Sequence, residues 1–307
     1  MRMQMPSAHA YERVLHKGLD IDIFVEHILN IYDEVDKRNA IKRIIEAERN
    51  LRGADYSSTL TDINVRDYQC RSERERDKLR RDILNELIEY KRLDNDDDIS
   101  LGNGGAAPHT SLRQEHVVLY VIGPPASGKS GISNSLADAF GAYILDSDYA
   151  KRKLPEFDQL GGASLVHEES DAIVFSLEEG NLLQHCLSSG QNMVIPKIGQ
   201  NMDSIVAFSS KLKKFGYKAF LISVDLDRAK ATQRAYYRYV KTGRYVPLAL
   251  IFDGYGNEPT LNYFKIKQRV KKVFSGYAQI STDVEIGEQP RLIEQNNLPV
   301  LKTIYRK

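Results

Sequence analysis

At 307 residues the chain is long enough for one large α/β domain with a smaller one beside it. Its 43 Lys and Arg nearly balance 42 Asp and Glu, which argues against a nucleic-acid track and favours a small anionic ligand. No run approaches the ~18 apolar residues of a membrane span, and the start leads into charged residues rather than an apolar leader. Cys70 and Cys186 have no metal or redox spacing, so two free thiols in a reducing cytoplasm are expected.

The first hundred residues read as helices. Ile21, Phe24, Val25, Ile28, Leu29, Tyr32 and Val35 recur at helical spacing, and Ile41, Ile44, Ile45 and Leu51 continue the stripe until Gly53 stops it. A third helix is predicted from about Ser72 through Leu79, Ile83, Leu84, Leu87 and Ile88; its run of mixed charge from Arg71 to Asp82 suits a solvated face. Asp94 to Asp98 and the Gly-rich stretch Leu101 to Pro108 then lose all apolar period, as a linker does. The expected organisation is a helical domain over 1–100, a linker over 101–115 and an α/β domain over 116–307. Net charge is about −4 before residue 116 and about +5 after it.

Beyond the linker, apolar runs at 116–122, 142–145, 192–195 and 218–224 alternate with helical patterns over roughly 129–140, 163–188, 201–215 and 227–241. Runs apolar at nearly every position suit strands buried on both faces, so the expected fold is a doubly wound, mostly parallel α/β sheet.

Gly123, Pro124, Pro125, Ala126, Ser127, Gly128, Lys129 and Ser130 match the phosphate-binding loop, Gly-x4-Gly-Lys-Ser, directly after a strand and at the start of a helix. Such a loop turns backbone N–H groups inward around phosphates, and the helix N-terminus adds its positive end. Lys129 would reach the terminal phosphates of a nucleoside triphosphate and Ser130 could ligate Mg²⁺. Asp146 and Asp148 follow the second strand at its carboxyl end, where α/β sheets bind ligands. Asp148 is placed to accept a proton from an acceptor hydroxyl. Asp146 could organise Mg²⁺, and either carboxylate could instead cap the next helix. Arg234, Arg238 and Arg244 lie on a helix and the loop after Gly243, where they could form a lid over the γ-phosphate or simply face solvent.

From about Val117 to Val284 the chain resembles the zeta toxin family of small-molecule kinases. The resemblance rests on the phosphate loop, Asp146 to Tyr149, Leu154 to Phe157, Ala163 to Ser170 and Gly243 to Pro247. It implies a P-loop kinase fold and transfer of the γ-phosphate of ATP to a sugar hydroxyl of a UDP-N-acetylamino sugar, typically UDP-N-acetylglucosamine. By the same resemblance Asp148 is the general base, Lys129 the loop lysine, and Arg234 and Arg244 the transition-state arginines. Glu168, Glu169, Lys197 and Arg238 are acceptor-contact candidates, while His167 could serve as a core or capping residue. The chain departs from the family pattern at Leu154, where a His is usual, at Pro196 with Lys197, where an acid is usual, and in the short spacing from Arg234 to Arg244. The family's helical antitoxins obstruct the nucleotide site, so residues 1–100 are a candidate built-in inhibitor, with an interaction module as the alternative. A polynucleotide kinase or a non-catalytic nucleotide switch remain competing expectations, as does another P-loop small-molecule kinase.

Overall fold

A computed structural model of the chain describes residues 15, 18–52, 57–159, 161–176, 180–270, 272–285 and 287–305. These form a six-stranded sheet in the order β2-β3-β1-β4-β5-β6. The strands are β1 (Val117–Ile122), β2 (Tyr143–Ile144), β3 (Met193–Lys197), β4 (Lys218–Asp225), β5 (Gly276–Ser281) and β6 (Arg291–Asn296). The first five run parallel, and β6 returns antiparallel against β5. All six residues of β1 are buried, as they must be in a strand covered by helices on both faces. The doubly wound sheet expected from the alternating runs is therefore present, with two further strands at 276–296 that the sequence reading did not name.

Because β1 lies between β3 and β4, the strand order reverses beside it, and a crevice opens at the carboxyl ends of the strands there. Helix α4 (Lys129–Phe140) begins directly at that crevice, and Gly141 ends it in the left-handed conformation.

The N-terminal helices divide differently from expectation. Helix α1 (Gly18–Ile23) runs into a π-helical turn, Phe24–Ile28, and α2 (Glu34–Arg52) starts afresh behind an Asp33 cap. Asn30, at φ 56°, breaks what the periodicity read as one helix, leaving Tyr32 and Val35 exposed. Gly53, the expected stop, lies outside the described residues. Ile21, Phe24, Val25, Leu29 and Ile44 share an apolar cluster with Ala231, Ala235 and Tyr236 of α10 (Arg228–Thr242).

Helix α3 (Glu73–Glu89) begins at Ser72 with a reciprocal Ser72–Glu75 capping box. Its Ile83 and Leu87 are fully buried in the cluster that surrounds the sheet. Residues 94–108 are not a free linker either. Ile99, Ala106 and Ala107 are buried in the same cluster, and the Ala106 carbonyl accepts a hydrogen bond from the Ile144 N–H at 2.9 Å. Gly105 is required there, because a Cβ would come within 2.2 Å of the Tyr90 carbonyl oxygen. The Lys153 ammonium, fully buried, donates to Glu86 and to the carbonyls of Ser100 and Asn103. Low-complexity composition suggests flexibility, but small residues also permit close backbone packing.

A buried ion cluster ties α3 to the rest. Arg76 donates to Glu156 at 2.8 Å and to Glu169 at 2.5 Å, and all three side chains are fully buried. Arg80 adds a third contact, to Glu169, at 2.7 Å. Removing the central cation leaves two buried carboxylates short of partners, so Arg76→Met is expected to cost about 3–5 kcal/mol. Urea unfolding followed by circular dichroism measures this, and a shift below about 1 kcal/mol would show that the cluster is dispensable.

The single helix expected over 163–188 is three: α6 (Gly162–Leu165), α7 (His167–Phe175) and α8 (Leu182–Ser189). Asn181 caps the last of them by accepting from the Gln184 N–H. Helix α9 (Met202–Lys214) follows β3 as expected, and α11 (Glu258–Arg269) precedes β5.

Candidate functional site

The phosphate loop leaves β1 at Gly123 and enters α4 at Lys129. Gly128 holds φ 81°, and the Thr282 side chain stands 3.4 Å from where its Cβ would be. Ala126 holds φ 59°, a costly conformation for a residue with a Cβ, of the kind concentrated at functional sites. Thr282, just after β5, braces the loop by donating to the Ser127 carbonyl at 2.7 Å. Lys129 folds back on its own loop and donates to the carbonyls of Gly123 and Pro124 at 2.9 and 2.6 Å. Desolvation lowers Lys129 to about 8, against the opposing pull of Asp146 and Asp148.

Asp146 caps the short helix α5 (Ser147–Lys151), its Oδ1 accepting from the Asp148 N–H at 3.0 Å. The capping alternative therefore holds for Asp146, which is also within electrostatic reach of Lys129. Burial and the charge of Asp148 raise Asp146 to about 6. Asp148 is 52 % exposed and pairs with Lys151 at 2.8 Å. Desolvation in the crevice pushes Asp148 up, but Lys151, Arg152 and Arg244 outweigh it and hold the carboxyl at about 2. The two carboxylates are thus driven apart, one poised near neutrality and the other fixed as an anion.

The three arginines separate. Arg244 and Arg152 both bond the Asp97 carboxylate, the latter at 2.9 Å, and Arg238 acts on Asp97 and Lys129 through space. Arg234 instead donates to the Thr282 carbonyl at 2.8 Å, which places it against the residue that braces the phosphate loop. Arg238 thus stands among the charges at Asp97, while Arg234 stands beside the phosphate loop.

Among the acceptor-contact candidates, Glu169 is fully buried on Arg76 and Arg80, so its carboxylate holds the fold together and does not face the crevice. Glu168 is exposed. Lys197, at the end of β3, lies over the Phe175 ring at 3.8 Å and its charge lowers Asp146. His167 opens α7, lowered by burial and Lys151. Ser147 donates to Asp171 at 2.5 Å, a contact that steadies the start of α5.

A divalent cation bound with a nucleotide draws most of its ligands from phosphate and water. Ser130 is exposed in the first turn of α4, and Asp146 commits Oδ1 to its cap while remaining a carboxylate near Lys129. One hydroxyl and one carboxylate at the phosphate loop fit Mg²⁺.

Sequence reasoning missed Arg152 and Asp97. The basic run Lys151-Arg152-Lys153 directly after the aspartate pair was the available signal for the first; nothing local marks the second.

A family model for zeta toxins matches residues 106–273, more than half of the chain. No curated protein matches it. Among solved structures the chain resembles that of the PezAT chromosomal toxin-antitoxin system of Streptococcus pneumoniae, at 15 % identity and a TM-score of 0.52 over 79 % of this chain and 90 % of that one. It also resembles AvrRxo1-ORF1:-ORF2 with ATP, at 11 % identity and a TM-score of 0.41 over 95 % of this chain and 79 % of that one. The described residues contain no helix long and apolar enough to cross a membrane. The match over residues 106–273, from before the first strand of the sheet to just before β5, makes this chain a member of the zeta toxin family with a P-loop kinase fold.

Proposed function

We propose that the protein is an ATP-dependent kinase that phosphorylates a sugar hydroxyl of a UDP-N-acetylamino sugar, with UDP-N-acetylglucosamine the first acceptor to test. The observation that carries this reading is the placement of Asp148. It is an exposed, ionised carboxylate whose charge reaches both Lys129 and Arg244 at the mouth of the phosphate-loop crevice. The acceptor oxygen attacks the γ-phosphorus, the bond to the β–γ bridging oxygen breaks, ADP departs, and the hydroxyl proton passes to Asp148. A carboxylate held near 2 is a weak base, which suits a loose transition state that demands positioning and charge neutralisation more than early proton removal. Lys129, released from the Gly123 and Pro124 carbonyls, and the nearby arginines stabilise the charge on the transferring group. Mg²⁺, held by Ser130 and Asp146 with the phosphates, would neutralise and orient the β- and γ-oxygens.

Incubating the full chain with labelled ATP and a panel of UDP-sugars, free nucleotides and oligonucleotides tests the assignment. Label on UDP-N-acetylglucosamine supports it; label only on an oligonucleotide would replace it with a polynucleotide kinase. The panel is scored on product, so weak ATP hydrolysis alone does not count in its favour.

The N-terminal helices act in this reading as a restraint on the kinase. Gln233 donates to the Ile28 carbonyl, Tyr239 to the Arg43 carbonyl and Tyr245 to Glu48, so the π-helical turn and α2 clasp the arginine-bearing segment. Ala126 of the phosphate loop packs against the same cluster. Restraint requires that docking and ATP binding weaken each other by one common factor. Because α3 and residues 94–108 belong to the main core, the informative shortening begins at Ser57 and spares them. Higher turnover in that shortened chain supports restraint, and equal turnover with equal ATP affinity leaves an interaction module.

A further inference from the structure

Near Asp148 the arginines of the proposed chemistry, Arg244 and Arg238, are joined by Arg152 and by the carboxylate of Asp97, neither of which that chemistry accounts for. Arg152 follows α5 with only 7 % of its side chain exposed, and its Nη2 donates to the Asp97 Oδ1 at 2.9 Å. Arg244 reaches the same carboxylate oxygen from the loop after α10. Both guanidinium groups lean on the Phe157 ring, at 5.9 and 5.5 Å from its centre, which fixes their orientation. Arg238 adds a third positive charge within reach of Asp97 and Arg244.

The donors outnumber what Asp97 can take. Nε of Arg152 and Nε of Arg238 are both buried and have no hydrogen-bond partner among the described residues. A buried donor left unbonded is unfavourable, and more so on a cation. A carboxylate brings one charge and two oxygens; a phosphate brings more of both, and guanidinium forks match its geometry.

Asp97 is delivered to this place by structure far from it in sequence. It sits on the turn Asp96–Asp98, capped by Asn95, with the Tyr149 hydroxyl bonded to Asp96 and Ile99 buried just behind. The turn is anchored at both sides, while Asp97 itself is a third exposed and meets its partners at the crevice edge.

We propose that Arg152 and Arg244, flanked by Arg238, form a phosphate subsite of the crevice, and that Asp97 fills it as an internal carboxylate which an incoming phosphate displaces. The class of ligand is a phosphate or diphosphate group, supplied either by the terminal phosphates of the nucleotide or by the diphosphate of the acceptor. The proposal deepens the kinase reading by naming a subsite, but the binding of the anion is measurable without turnover. Tethering gives Asp97 a high effective concentration, so it depresses apparent affinity for any phosphate that competes for the site. If Asp97 occupies the arginines nine parts in ten, freeing them tightens binding by about tenfold.

The test is calorimetric titration of the full chain with UDP, with a non-hydrolysable ATP analogue and with inorganic pyrophosphate. Asp97→Asn, which keeps the shape and removes the charge, is expected to bind at least one of the first two about tenfold more tightly than the natural chain. Gain for UDP alone identifies the acceptor's diphosphate, and gain for the ATP analogue alone identifies the nucleotide's terminal phosphates. Adding Arg152→Gln to Asp97→Asn should abolish the gain, whereas Asp97→Glu should stay near the natural affinity. Arg152→Gln alone should weaken pyrophosphate binding, so the proposal remains testable if Asp97→Asn does not fold. Unchanged affinity for both nucleotides in a folded Asp97→Asn chain overturns it, as does unchanged pyrophosphate binding in Arg152→Gln. Absence of sugar phosphorylation with the expected affinity changes would instead sink the acceptor assignment and leave the subsite standing.

Discussion

Lys129→Ala is expected to lower phosphotransfer at least a hundredfold while leaving the melting temperature nearly unchanged. Removing one preorganised electrostatic stabiliser typically costs ~10²–10³ in turnover. Lys129 is the cation of the phosphate loop, and its resting partners are two carbonyls of that same loop. Its ammonium is half-buried and already lowered to about 8, so the fold gains little from it and the missing charge is felt mainly when a phosphate arrives. Steady-state kinetics alongside thermal melting separates the two effects. A variant that turns over near the natural rate would remove Lys129 from the chemistry, and an equal loss of folding would make it structural.

Asp148→Asn should reduce turnover by ~10²–10⁴ with nucleotide affinity changed far less, because the carboxylate acts on the acceptor's proton and not on ATP. Asp146→Asn should be milder and should alter the pH profile instead. Asp146 is raised to about 6 by burial and by the charge of Asp148, so it takes up a proton as pH falls through that value. In the natural chain kcat/KM should therefore hold above about pH 6 and decline below it. Asp148, held at about 2, remains ionised throughout that range. Asp146→Asn should flatten the acid limb at a reduced plateau. If Asp146→Asn proved the more damaging substitution, the base would move to Asp146 and Asp148 would become the positioning carboxylate.

The main elements of the kinase sheet were legible because their determinants are local. Four apolar runs found their strands in β1 to β4, and Ser72, three residues before Glu75, announced the capped start of α3. The phosphate loop was legible for the same reason, since strand, glycines and helix start lie within a few residues of one another. The last two strands escaped notice: β6 is mostly solvent-facing and carries the polar pattern of an edge. Helix breaks at Asn30 and between α7 and α8 override a hydrophobic periodicity that continues through them.

The amino-acid sequence by itself determined the phosphate loop, the paired aspartates that follow the second strand, and the helical character of the N-terminus. Only the tertiary structure decided that Glu169 is a buried partner of Arg76, 93 residues away, and that Arg238 rather than Arg234 joins the charges at Asp97. It alone turned the Asp94 to Pro108 stretch from a tether into packed structure and brought Asp97 to Arg152 and Arg244, across 55 and 147 residues. The physical reason is one of range. Helix caps, turns and alternation follow from interactions within a few residues, whereas the partner of a charged side chain is chosen by whichever surfaces burial of the apolar core brings together.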